Sequence, residues 1–200
     1  MSQSGSGAGG CVARLRALFA EGEFPPSAVL PRADLAAAAV LVPLVLRGDG
    51  VTVLLTRRSR HLRHHPGQIS FPGGRIDAAD ASPEAAALRE ADEEVGLAAE
   101  RVEVLGRLPD FATGTGFRIS PVVALVHPPL ALSASPAEVD EIFEAPLAFL
   151  LNRRNHLRHE FAGEKRHYWS IPWQGYPIWG ATAAILRTLS EVLAERENLR

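Results

Sequence analysis

The sequence predicts an α/β sandwich, and three observations carry that prediction. Residues 37–46 form a continuous apolar run, which reads as a strand buried on both faces. A second stretch opens on Ser82 and Pro83 and closes on Gly96, residues that begin and end helices, so a helix runs between them to about Val95. Strand-like and helical segments then follow in an irregular order, unlike the strict alternation of a doubly wound sheet.

Taken in order, residues 1–10 are rich in Gly and Ser and read as a disordered tail, leaving residues 11–200 as one domain. Val12, Leu15, Leu18 and Phe19 have helical spacing, so a short helix is predicted over 11–19. Three prolines make 23–32 a connector. The strand over 37–46 turns at Arg47-Gly48-Asp49-Gly50 into a second strand over 51–56, forming a hairpin. Residues 57–74 read as irregular and basic, and 75–81 as a loop before the helix. Strands are predicted over 102–108 and 118–126, with a loop at A-T-G-T-G between them. A Pro/Ser connector spans 128–137 and an acidic stretch 138–144. A short helix follows at 146–151, then a hairpin over 156–161 and 166–173 about A-G-E-K, then a closing helix over 180–193.

Composition removes several functional classes. With 46% hydrophobic and 22% charged residues, the chain has the profile of a soluble globular domain, and 200 residues suffice for a sizeable core. A net charge of −2 gives no general attraction to nucleic acid or an anionic membrane, so phosphate chemistry must come from local clusters. Lys165 is the only lysine, which leaves no P-loop lysine and a single position for Schiff-base chemistry. Cys11 is the sole cysteine, excluding an intrachain disulfide and a cysteine metal cluster. The longest apolar run, 35–46, contains Pro43 and falls short of the ~20 residues of a membrane span. The N-terminus lacks the basic start and apolar core of a signal peptide, so a cytoplasmic protein is expected, as a monomer or a homodimer.

The chemistry centres on the run R-E-A-D-E-E-V-G-L, residues 89–97. Glu90, Glu93 and Glu94 stand at i, i+3 and i+4, which puts three carboxylates on one helical face. Leu88, Ala91 and Val95 fall opposite and are free to pack on a sheet. Like charges this close repel unless a cation sits among them, and an all-oxygen donor set suits Mg²⁺ or Mn²⁺ rather than zinc. A solvated acidic face is the plainer reading of E-x-x-E-E alone. What precedes the helix tips the balance.

The segment from Gly73 to Leu97, G-G-R-I-D-A-A-D-A-S-P-E-A-A-A-L-R-E-A-D-E-E-V-G-L, resembles the Nudix box, G-x5-E-x7-R-E-U-x-E-E-x-G-U, with U a bulky aliphatic residue. From Arg89 onward the match is nearly complete, Ala91 being small for its position. The front half is one residue longer than the pattern, and Ala81 stands eight before the arginine where the pattern has an acid. Asp77 or Asp80 is the stand-in. Upstream, L-L-T-R-R-S-R-H-L-R-H-H-P-G-Q-I-S-F-P-G-G resembles the signature of the coenzyme A pyrophosphatase branch of that family. Thr56, Arg58, Ser59, Arg63, Gly67, Phe71, Pro72, Gly73 and Gly74 all match it.

The resemblance implies a Nudix-type α/β/α sandwich with a mixed central sheet, and metal-dependent hydrolysis of a nucleoside diphosphate linked to another group. On that basis Glu90 and Glu94 are the metal ligands, for Mg²⁺ or Mn²⁺. Glu93 is a further ligand, or the base that orients the attacking water. Arg89 steadies the glutamates. Gly73 and Gly74 let the backbone approach metal or phosphate, and Gly67, Arg58 and Arg63 belong to the substrate site. Family members bring an extra acid from a distant loop, and Glu141 is the candidate within the acidic stretch. The basic run, with Arg57, Arg60, His61, His64 and His65 besides, suits the 3′-phosphate of coenzyme A. A solvated loop is the plain alternative for those five, and a zinc site from the histidines lacks a fourth ligand. The expected reaction gives 3′,5′-ADP and 4′-phosphopantetheine or its acyl form. The alternatives are a broader pyrophosphatase for ADP-ribose, NADH or dinucleoside polyphosphates, and a non-catalytic nucleotide-sensing module. Phe117, Tyr168, Trp169, Trp173, Tyr176 and Trp179 are expected mostly in the core, or else stacked on adenine.

Overall fold

A computed structural model describes residues 6–20, 24, 35–160 and 167–197. The connector predicted at 23–32, apart from Phe24, and the A-G-E-K turn lie outside the described residues. The first helix, α1 (Ser6–Ala20), starts inside the stretch predicted as tail.

The backbone of the fold is β1 (Ala36–Arg47), whose apolar run pairs on both edges. It forms the predicted hairpin with β2 (Gly50–Arg58), Leu44 opposite Val53 and Arg47 opposite Gly50. The two strands then part, and the chain between them fills the wedge. There β3 (Ile69–Ser70) pairs with the end of β2, and β4 (Gly73–Arg75) pairs with Ala38–Val40 of β1. Pro43, which has no N–H to give, falls where β1 passes from one partner to the other. The segment read as irregular therefore ends in two short strands.

After the wedge comes α2 (Pro83–Val95). The Ser82 hydroxyl accepts from the Ala85 N–H, Pro83 takes the first turn, and Gly96 closes the helix at φ 65°. On the other edge of β1, β7 (Phe117–Val126) runs parallel along the strand, from Ala36 opposite Phe117 to Val45 opposite Val126. Antiparallel to β7 lie β5 (Val102–Arg107) and the short β6 (Phe111–Ala112). The acidic stretch is itself a strand, β8 (Val139–Pro146), antiparallel to β2. The result is an eight-stranded mixed sheet.

Strand alternation sorts the core into two layers. Ala39, Leu41, Val45, Leu54, Val122 and Ala124 face α2, which meets them with Ala86, Ala87, Ala91 and Val95. The small Ala91 is fully buried there, letting the helix axis lie close to the sheet. Val42, Leu44, Val53, Leu55, Val123 and Leu125 face the other way, onto α1, α3 (Leu147–Leu151) and α4 (Ala181–Glu197). On that side a smaller antiparallel sheet joins β9 (Leu157–Glu160), β10 (His167–Trp173) and β11 (Tyr176–Trp179). The predicted hairpin thus carries a third strand. The architecture is the predicted α/β sandwich, in the α/β/α form with a mixed central sheet that the family resemblance implies. No helix among the described residues is long and apolar enough to cross a membrane.

Candidate active site

The C-terminal half of α2 carries Arg89, Glu90, Glu93 and Glu94 and lies beside the wedge. Pairing of β4 with β1 brings Gly73 and Gly74 under the helix. The Gly73 N–H donates to Glu94 Oε2 at 3.2 Å. A β-carbon on Gly74 would sit 2.5 Å from Glu90 Oε1, so the Glu90 carboxylate occupies the space that a side chain would take. A β-carbon on Gly73 would collide with the Ala39 carbonyl and lie 2.6 Å from Val40 Cα. At Gly73 the β1 backbone excludes a side chain, and at Gly74 a side chain would displace a site carboxylate.

Glu90, Glu94 and Glu138 each offer a carboxylate oxygen within 4.8 Å of the others. The three sit at different depths. Glu94 is 2% exposed, Glu90 is half-buried and Glu138 is exposed. Burial pushes the Glu94 carboxyl up to about 8; the Gly73 N–H and Arg58 oppose that rise, and Glu138 and Glu90 add to it. Burial also raises Glu90, against the pull of Arg89. Desolvated carboxylates facing one another are short of positive charge, which is the donor chemistry that a hard divalent cation satisfies. The residues present therefore fit such an ion.

Arg89 ties Glu90 to Glu93 and Asp80. Its Nε and Nη2 donate to the two oxygens of Asp80 at 3.1 and 3.0 Å. Its Nη1 donates to Glu90 Oε1 and to Glu93 Oε2, both at 3.0 Å. Nη2 also reaches the Arg75 carbonyl, and Asp77 lies 3.8 Å away. Asp80 accepts from the Asp77 N–H as well, and Arg89 holds its carboxyl below the usual carboxylate range. Of the two possible stand-ins for the missing acid, Asp80 is the one on the arginine. Counted forward from Gly74, Asp80 falls where the pattern has its acid; the extra residue lies between it and Arg89. Counting back from the arginine led to Ala81 instead.

Two predicted residues lie outside the group of three. Glu93 shares Arg89 with Glu90 but its side chain is 59% exposed, and it stands apart from the group of three. Glu141 is turned elsewhere: it accepts from the Tyr176 hydroxyl at 2.6 Å and pairs with Arg57 at 3.2 Å. The acid brought to α2 is Glu138, three residues earlier in the turn just before β8. Nothing in the spacing of the acidic stretch distinguishes the two. Strand register does, because it puts Arg58 opposite Val139 and Arg57 opposite Glu141 across a bulge.

Arg58 Nη1 lies 3.8 Å from Glu94 Oε1, so the basic loop begins at the carboxylate cluster. Arg63 is exposed further along that loop, as are His61, His64 and His65. Gly67, at φ 69°, turns the loop back with its N–H on the Arg58 carbonyl. Of the aromatic residues, Trp169, Trp173 and Tyr176 pack partly against the core and Trp179 is 40% exposed.

The layering and the arginine-steadied carboxylates of α2 define an α/β/α hydrolase of the Nudix type. Residues 35–160 match the NUDIX domain, and the chain belongs to that family. As a member it is a hydrolase of pyrophosphate bonds. It is 47% identical over 155 residues to a protein of Enterobacter sp. (strain 638) named uncharacterized Nudix hydrolase NudL, covering 76% of this chain and 80% of that one. Its NudL counterpart in Escherichia coli K12 is 46% identical over the same shares. Among solved structures, a C. elegans Ap4A hydrolase superposes with a TM-score of 0.55 at 18% identity, covering 79% of this chain and 98% of that one. The Nudix hydrolase RenU of M. smegmatis gives 0.55 at 24%, covering 80% and 86%. These two show a shared fold.

Proposed function

We propose that the protein hydrolyses the pyrophosphate bond of coenzyme A or its thioesters, giving 3′,5′-ADP and 4′-phosphopantetheine or its acyl form. The observation that carries this reading is the 3.8 Å approach of Arg58 to Glu94. It joins the loop bearing the coenzyme A-type signature to the carboxylates of the Nudix helix, so one ligand can meet both.

In this reading Glu90, Glu94 and Glu138 hold Mg²⁺ or Mn²⁺, which supplies charge neutralisation for the phosphate oxygens. Arg89 keeps Glu90 in place while its other edge is anchored on Asp80. Glu93, exposed and beside the same guanidinium, orients the attacking water and takes its proton. Arg58 places a fixed positive charge where negative charge grows on the phosphates. Arg63, with Arg60 and the loop histidines, receives the 3′-phosphate, and Gly67 sets the shape of that loop. Gly73 and Gly74 keep the backbone close enough to seat the carboxylates. The setting is cytoplasmic, and the substrate is a small nucleotide rather than a nucleic acid or a membrane.

A hydrolysis screen of coenzyme A, acetyl-coenzyme A, ADP-ribose, NADH and diadenosine polyphosphates, with Mg²⁺ or Mn²⁺ and products identified by mass, tests this. Preferred turnover of the coenzyme A compounds with release of 3′,5′-ADP supports it. Preferred turnover of ADP-ribose or dinucleoside polyphosphates replaces it with a broader pyrophosphatase. Nucleotide binding without turnover replaces it with a sensing module.

A further inference from the structure

Glu138 lies just before β8 and is exposed, so its reach to Glu90 and Glu94 depends on how its backbone is fixed. Two sides fix it. From α2, the Glu94 carbonyl accepts the Ser135 N–H at 2.9 Å, and the Ser135 carbonyl accepts the Glu138 N–H at 3.0 Å. From the basic loop, the Ser59 N–H donates to the Glu138 carbonyl at 2.8 Å. Arg57 and Arg60, on either side of Ser59 along the chain, grip the same stretch. The Arg60 N–H donates to Asp140 Oδ2 at 3.2 Å, and Arg57 pairs with Glu141.

The Arg57 end of this grip is the most elaborate. Glu141 takes both the Arg57 guanidinium, at 3.2 Å, and the Tyr176 hydroxyl, at 2.6 Å. Arg57 lies over the Tyr176 ring, 5.1 Å from its centroid. That ring stacks on Phe143, with centroids 3.9 Å apart. The circuit ties β2, β8 and β11 together on the face of the sheet away from α2. It sits beside the bulge at Arg57/Arg58, where the chain must turn Arg58 toward Glu94 and set Glu138 in register.

We propose that Glu141 and Tyr176 are positioning residues that lock this bulge and thereby hold Glu138 on the carboxylate cluster. Glu141 neither touches the metal nor takes the proton of the attacking water. Partners one step behind a metal ligand set its orientation, and their loss costs about 10-fold or more in metal affinity or activity. The inference rests on the reading that Glu138 shares the metal with Glu90 and Glu94.

Mn²⁺ affinity, read from free Mn²⁺ by electron paramagnetic resonance on the full chain without substrate, is the test. Glu141→Gln and Tyr176→Phe should each weaken Mn²⁺ by about 10-fold. Tyr176→Phe keeps the ring on Phe143 and removes only the hydroxyl, and thermal melts check that both variants fold. In a Glu138→Gln background Glu141→Gln should cost nothing more, since it acts through Glu138. The pH–rate profile should keep both limbs. Unchanged Mn²⁺ affinity in the two variants overturns the proposal. So does a loss of 10²-fold or more in kcat for Glu141→Gln with affinity intact and one limb gone, which would make Glu141 the base. The affinity measurement does not depend on which pyrophosphate is the substrate, so a failed coenzyme A assay leaves it standing.

Discussion

Asp80 and Arg89 meet edge to edge, two parallel N–H···O contacts of 3.1 and 3.0 Å joining the loop before α2 to its second turn. The pairing fixes the guanidinium so that its remaining Nη1 points at Glu90 and Glu93. Bidentate geometry of this kind sets direction as well as attraction.

Asp80→Asn should therefore leave Arg89 in place but free to swing, with kcat falling about 10-fold while KM changes less. Asp77→Asn, whose contact to Arg89 is 3.8 Å, should be nearly silent. Steady-state kinetics on both variants checks the contrast; equal effects would remove Asp80 from its role.

Glu94→Gln should abolish hydrolysis and change the pH dependence of stability. The Glu94 carboxyl is raised to about 8, above its ordinary 4.5, so in the metal-free protein the folded state binds this proton more tightly than the unfolded chain. That contribution is complete below about 4.5 and is lost as pH rises through 8. Melts in chelator should show Tm of the native protein falling over that window relative to Glu94→Gln. For the same reason Mg²⁺ affinity should rise with pH up to about 8, with a proton released on binding.

The two site glycines should respond differently. Gly74→Ala displaces the Glu90 carboxylate, so metal affinity falls about 10-fold with little change in Tm. Gly73→Ala drives a methyl into the β1 backbone and should cost about 1–3 kcal/mol of stability. Paired metal titrations and chemical denaturation separate the two.

How far these sites could be read from the sequence depends on range. The helix α2 was legible to the residue, because Ser82, Pro83 and Gly96 act on their own neighbours. The β1–β2 hairpin was legible for the same reason. Arg89 was legible as the residue that steadies the glutamates, while its anchor on Asp80 was hidden by one inserted residue that loop geometry absorbs. Glu138 was not separable from Glu141, since only register between β2 and β8 distinguishes them, and register is set by contacts far apart in the chain. The acidic stretch concealed a strand because only Val139 and Ala145 of it are buried, while Ile142 and Phe143 pack partly buried against opposite faces. The wedge of β3 and β4 was hidden because strands of two and three residues are too short to show a period, and pairing with β2 and β1 sets their places.

On the proposed function, Arg58 and Arg63 divide the binding work. Arg63→Ala should cost about 10-fold in kcat/KM on coenzyme A, a share of the ~1.5–3 kcal/mol that a charge-assisted contact supplies, and little on dephospho-coenzyme A. Arg58→Ala, beside Glu94, should lower kcat on both. A shared loss for Arg63→Ala would move the 3′-phosphate contact elsewhere.

The most direct test compares kcat/KM of the native protein on coenzyme A and dephospho-coenzyme A at one Mg²⁺ concentration. The loop of Arg58, Arg60 and Arg63 beside the carboxylates predicts a clear preference for the 3′-phosphorylated substrate, weakening as salt rises. Equal or faster turnover of dephospho-coenzyme A would contradict the account.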